Sequence, residues 1–236
     1  MKACLVEIYS QTATFRNPEF QNFHKTFMLP PPTTLVGFAG AALGLSPKSA
    51  QEFFESSIFK MGVYGLSRGI CNDLWKYNNF TTQKSIIKRE ILFLNNYIIA
   101  YASEDENKIM NLINGFKNPI YALTLGGSDS LSFVRNVTDL VIKNIEISKK
   151  VEYCLLEGDI WKEVLRNSSN NLEFSIYLTS DPIVYDLPTK FNYESEYGMR
   201  SVSTRKTFSF ISKEMILNID KEGISYENKF IPLFNY

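Results

Sequence analysis

Two stretches of this 236-residue sequence carry residue types and spacings suited to gripping an anionic polymer. In the first, Arg16, His24 and Lys25 interleave with Phe15, Phe20, Phe23 and Phe27, directly before Pro30-Pro31-Pro32-Thr33-Thr34 and a glycine-rich run ending at Gly44. Cations meet phosphates and rings meet bases in such a pattern. A helix opening after the prolines would also present unpaired backbone N–H groups and partial positive charge to a phosphate, and Gly37 would let a sugar-phosphate backbone come close. The competing reading makes the phenylalanines core and the prolines a loop stiffener. The second stretch, a polar insert at about 69–85, holds Trp75-Lys76-Tyr77 and leads to Lys84, Lys88 and Arg89. It suits a flexible single-strand grip or a solvated hairpin whose Trp75 packs down. The turn Leu125-Gly126-Gly127-Ser128-Asp129 can form an anion nest from its N–H groups or be a plain turn. Arg200, Arg205 and Lys206 read as a solvated strand face.

Several chemistries are excluded or left without support. Metal-free cleavage of RNA needs a base for the 2′-hydroxyl and an acid for the leaving oxygen. His24 is the one histidine; it, Lys25 and any of the 13 tyrosines could be recruited, but nothing in the sequence shows that they converge, so no catalytic set is expected. Cys4, Cys71 and Cys154 make no CxxC pair, so neither a metal site nor a disulfide framework is expected, and no cofactor is implied. The apolar run Leu35–Leu45 falls short of the roughly 20 residues a membrane helix needs, and the expectation is a cytoplasmic protein without membrane contact. The 25 Lys+Arg balance 25 Asp+Glu, which disfavours a free-standing electrostatic binder. Residues 1–100, however, carry 10 basic against 6 acidic residues.

The elements that must position these groups follow from periodicity. Residues 2–10 alternate as a buried strand. A helix capped by Thr33 or Thr34 runs to about Gly44, its glycines compensated by close approach to a sheet. A second helix, capped by Ser46 with Pro47 first, runs to about Ser57. Phe59–Leu66 is a strand, and Ile86–Ala102 a strand pair bending near Asn95-Asn96. Ser103-Glu104-Asp105-Glu106 reads as a capping box opening a helix with Ile109, Leu112, Ile113 and Phe116 on one face, and Ser132–Ile142 is a further strand. Strand, helix, strand, strand, helix, strand is the ferredoxin-like (RRM-like) order, and its sheet includes the type on which exposed aromatics stack bases. Residues 144–236 read as a β-rich C-terminal part with strands at Ile145–Leu156, Phe174–Leu178, Lys206–Ile211 and Ile216–Ile219. The expected fold is therefore α+β, a ferredoxin-like domain over 1–143 followed by that part.

The stretch from Phe15-Arg16 through Lys25-Thr26-Phe27-Met28-Leu29-Pro30-Pro31-Pro32-Thr33-Thr34-Leu35-Val36-Gly37 to Gly44 resembles the N-terminal signature of the CRISPR-associated Cas five family of the RAMP superfamily. Lys88–Leu92 and Asn118–Asp129 follow in the family's order, and residues 1 to about 140 look most similar to type I-B members. The resemblance implies a subunit of Cascade, the RNA-guided surveillance complex, which holds the 5′ handle of the guide RNA (crRNA) for antiviral defence. Its implied partners are that handle, the backbone (Cas seven) and large (Cas eight) subunits, and target DNA indirectly through the complex. A hairpin thumb between the second and third core strands is typical, and residues 69–85 fall there. Mapped on the motif, the RNA contacts are Arg16, Lys25, Thr33, Thr34, Gly37, Arg89, Gly126 and Ser128, with Trp75 and Lys76 on the thumb. Gly127 stands where the family often has a basic residue. Type I-C members cut precursor RNA with a Tyr, Lys and His set that finds no matching segment here, which leaves a ribonuclease as the alternative function.

Overall fold

The computed structural model describes every residue except 21–22, 79–83, 143, 162 and 164–181. The expected strand at Phe174–Leu178 lies outside the described residues. In chain order the elements are β1 (Lys2–Ala13), β2 (Phe23–His24), α1 (Pro32–Leu43), α2 (Pro47–Glu55), β3 (Phe59–Asn78), β4 (Lys84–Ser103), α3 (Glu106–Lys117), β5 (Ser132–Val137), β6 (Val141–Ile142), β7 (Glu146–Val151), β8 (Cys154–Glu157), β9 (Ile183–Tyr193), β10 (Arg200–Ile211), β11 (Met215–Tyr226), β12 (Lys229–Pro232) and β13 (Phe234–Asn235). The architecture is α+β with strands predominating.

The main sheet runs β5-β1-β4-β3-β8-β10-β9, with β2 added to β4, β6 to β1 and β13 to β3, while β12-β11-β7 form a second sheet. Every pairing along β5-β1-β4-β3 is antiparallel. β8, with β10 and β9 beyond it, continues this sheet where Tyr64 faces Cys154 and the Gly65 N–H donates to the Tyr153 carbonyl at 2.8 Å, and β13 pairs with β3 nearby at Met61 and Lys60. The helices cover one face. Tyr101 from β4 is fully buried there among Phe54 and Phe116, and its hydroxyl, donating to the Leu35 carbonyl at 2.8 Å, has its polar need met inside the core. Burying such a ring contributes on the order of 2 kcal/mol. On the other face Leu5, Ile98 and Ala100 pack against Ile224 and Ile231 of the second sheet.

Four local expectations are corrected. The cap of α1 is Pro31, with Pro32 at the first helical position and no side-chain cap; Thr33 and Thr34 lie inside the first turn, because a proline ring already fixes the φ that a helix start needs. The close approach that α1's glycines permit is to α2 rather than to a sheet, since a Cβ at Gly40 would stand 2.6 Å from the Ala50 Cβ. Ile86–Ala102 belongs to one continuous strand, β4, in which the irregularity falls at Leu94, at φ 52°. Asn95 braces it from the next position, its Nδ2 donating to the Leu92 carbonyl at 3.3 Å. The cap of α3 is Asp105, whose Oδ1 accepts from the Asn107 and Lys108 N–H groups. Ser103 instead accepts from the Asp105 N–H and donates to the Ile58 carbonyl. Ser46 caps α2 as expected, accepting from the Ser49 N–H at 3.1 Å.

Candidate nucleic-acid interface

β3 and β4 stay paired from Phe59↔Ser103 out to Asn78↔Lys84 and form a long two-stranded ribbon. Its outer length shows apolar side chains to solvent, Ile70, Leu74 and Ile86 among them. The chain between β1 and α1 folds back on itself at the base of this ribbon. Arg16 bridges Thr26, the Phe27 N–H donates to the Phe15 carbonyl at 2.8 Å, and the returning β2 lies parallel to β4 with His24 beside Arg89. Thr26 locks the excursion: its N–H donates to Glu90 Oε2 and its hydroxyl accepts from the Phe15 N–H.

That alternation sorts the aromatic residues. Phe15 and Phe27 point inward and are buried, Phe27 stacking on Phe210 at 5.2 Å. Arg16 is exposed and Lys25 half-buried. Phe20 and Phe23 stay near the surface, with Lys25 over the first ring at 5.4 Å and Lys88 over the second at 5.7 Å. The phenylalanines are thus half core and half surface, so each of the two sequence readings describes part of the segment.

Arg89 sits at the centre of this end of the sheet and is 7% exposed. Its terminal nitrogens donate to Asp73 on β3 at 2.8 Å and to Asp129 in the glycine turn at 2.7 Å, and Trp75 lies 5.3 Å from the guanidinium carbon. The side chain expected to meet RNA is therefore an internal tie between ribbon and turn. The turn itself is pinned to the end of β1. Gly126 has φ 94°, and a Cβ there would fall 1.6 Å from the Thr14 carbonyl oxygen, so only glycine fits. Asp129 accepts from Arg89 and from its own backbone N–H, which holds its carboxyl below the ordinary range despite partial burial. The Asp129 carboxylate thus lies on the same turn that the sequence offers as an anion nest. Ser128 is exposed on the same turn.

His24 is 6% exposed with its ring 6.0 Å from that of Trp75. Loss of water and then the charges of Arg16 and Arg89 push its pKa below the ordinary 6.5, so the imidazole is neutral at pH 7. Trp75 is 43% exposed, and Lys76 projects from the opposite face of the ribbon. The structure brings Arg16, Lys25, Trp75, Arg89, Gly126 and Ser128 to one end of the sheet. Thr33, Thr34 and Gly37 line a separate cleft at the start of α1, together with Phe191 and Arg200. Sequence reasoning missed Asp73, Asp129 and Phe191. Nothing in spacing announces that two acids, 56 residues apart, share one arginine. Among the described residues no group of three His, Cys, Asp or Glu could hold a metal ion, and no helix is long and apolar enough to cross a membrane.

No family model and no curated protein matches the chain. Solved structures do. A chain of a CRISPR RNA-guided surveillance complex aligns over 91% of both chains at TM-score 0.54 and 13% identity. A CRISPR protein from Archaeoglobus fulgidus aligns over 98% of this chain and 99% of its own at TM-score 0.51 and 11% identity. The first structure in this set, a Cas protein, matches at TM-score 0.37, and this chain spans only 63% of its length. The fold is shared with these CRISPR-associated proteins over 91% and 98% of this chain.

Proposed function

We propose that this chain is an RNA-binding subunit of a CRISPR RNA-guided complex, of the Cas five kind, which holds the 5′ handle of the guide without cutting it. The observation that carries the reading is the likeness in fold, over 91% of both chains, to a chain of such a surveillance complex. The strand order β5-β1-β4-β3, with α1 and α2 between its first two strands in sequence and α3 before its last, supports the ferredoxin-like assignment of residues 1–143. The ribbon beyond residue 69 supports the thumb. Under this reading Arg16, Lys25 and Lys88 meet phosphates, the exposed edge of Trp75 meets a base, and Arg89 positions both the ribbon and the turn. The apolar ribbon faces the neighbouring backbone subunit, and type I-B is the subtype proposed. Binding is weak for the isolated chain and tight within the assembly, as zero net charge leads one to expect.

The test is labelled repeat RNA mixed with purified chain in EDTA, with and without the backbone subunit. The reading expects low-salt binding by the chain alone, protection of the handle in the assembly and no cleavage. Arg16→Ala and Lys25→Ala should each make the salt slope of binding shallower by about 0.7. Site-specific cleavage lost in His24→Ala would replace this reading with the ribonuclease.

A further inference from the structure

A cleft of about 160 Å³ opens between the first turns of α1 and the β9–β10 hairpin, and Thr33, Thr34, Gly37, Phe191, Tyr193 and Arg200 are among its walls. We propose that it holds one nucleotide of single-stranded RNA, the base stacked on the Arg200 guanidinium and the sugar-phosphate against Thr33, Thr34 and Gly37. The inference rests on the RNA-binding reading above and extends it to residues 191–200, which the sequence signature does not reach.

Arg200 is exposed, and its guanidinium carbon lies 4.4 Å from the centroid of Phe191. Nearby cations of the same two strands meet carboxylates: Lys190 meets Glu55, Arg205 meets Asp186 and Lys206 meets Glu157. Arg200 has no ion pair among the described residues, so its charge is available to a ligand. A guanidinium lying on a ring offers its second face to a base, a stacking mode common in single-stranded RNA recognition. The platform beneath it is fixed. Gln51 of α2 accepts from the Phe191 N–H at 2.8 Å and donates to the Phe191 carbonyl at 3.0 Å. Those two bonds take up the outward backbone groups of Phe191.

The opposite wall has room. Gly37 is exposed, and a Cβ there would meet nothing within 4 Å. Thr33 and Thr34 are half-buried, with hydroxyls that enter no hydrogen bond among the described residues. Of the two exposed acids at the tip of the hairpin, Glu194 and Glu196, the second is turned toward α2: its carboxylate accepts from Ser46 and Ser49 and lies 3.9 Å from Lys48.

The experiment measures binding of the full-length chain to a fluorescein-labelled oligouridylate across a salt series. Arg200→Ala should weaken binding about tenfold and reduce the salt slope by about 0.7. Phe191→Ala should weaken it about tenfold with the slope unchanged. Arg200→Lys should keep the slope and lose the stacking share of the affinity. Arg16→Ala serves as the reference for the other end of the sheet. Parent-like binding by the Arg200 and Phe191 variants, beside weakened binding by Arg16→Ala, overturns the cleft and leaves the functional reading standing. Failure of the parent chain to bind at low salt overturns both.

Discussion

Asp73 and Asp129 should matter more to stability than the arginine they hold. The Arg89 side chain is 8% exposed, whereas those of Asp73 and Asp129 are 42% and 55% exposed. Replacing both acids with asparagine strands a buried guanidinium without a counter-ion, a loss of about 3 kcal/mol. Replacing Arg89 with Met leaves two carboxylates that water can reach. That change forfeits two half-exposed ion pairs worth about 0.5 kcal/mol each and a contact with Trp75 worth about 0.5 kcal/mol, together about 1.5 kcal/mol. With a urea m-value of about 3 kcal/mol/M, the unfolding midpoint should fall by about 1 M in Asp73→Asn/Asp129→Asn and by about half that in Arg89→Met. An equal or larger fall for Arg89→Met refutes the argument, because the cost would then lie in the arginine's packing and not in its unmatched charge. The pH dependence gives a second reading of the same tie. Asp129's folded pKa is depressed, chiefly by its hydrogen bond to Arg89, so its contribution is present above the unfolded carboxylate value near about 3.9 and is lost as pH falls through the lower folded value. Asp129→Asn should flatten that acid limb.

Other changes test neighbouring parts of the account. Gly126→Ala should cost at least about 3 kcal/mol in chemical unfolding, since its Cβ meets the Thr14 carbonyl and its φ is left-handed; Gly37→Ala, in open space inside α1, should gain about 0.5–1 kcal/mol. His24 has a lowered pKa, so the unfolded chain takes up its proton first, and stability should fall as pH drops below about 6.5. His24→Gln should remove that slope, and bound RNA phosphate should raise the His24 pKa in an NMR titration. Ser46→Ala removes both the cap of α2 and a ligand of Glu196, and should lower stability by about 1 kcal/mol.

Where the sequence was a good guide, the signal was local. Serine before proline at α2 and the apolar spacing Ile109, Leu112, Ile113, Phe116 are short-range chemistry, and they hold in the fold. The hairpin of β3 and β4 is legible only in part: Phe59–Leu66 falls inside β3, while Ile86–Ala102, expected as a strand pair, is one strand. What stayed hidden depends on distant partners. Arg89 reads as a surface cation until Asp73 and Asp129 are folded onto it. Gly126 reads as a turn residue until the end of β1 arrives at its α-carbon. The cleft at Thr33 and Thr34 is half built from residues more than 150 positions later, and the joint of Tyr64 to Cys154 that brings them there rests on one residue pair.

The central claim is that this chain holds guide RNA within a CRISPR complex. The most direct measurement is isolation of the tagged chain from the cell that expresses it, after ultraviolet crosslinking, with sequencing of the RNA attached to it. The account predicts short RNAs that share one repeat-derived 5′ segment, crosslinked within that segment and depleted in Arg16→Ala/Lys25→Ala. Recovery of no RNA, or of cellular RNAs without a common repeat-derived 5′ end, would contradict it.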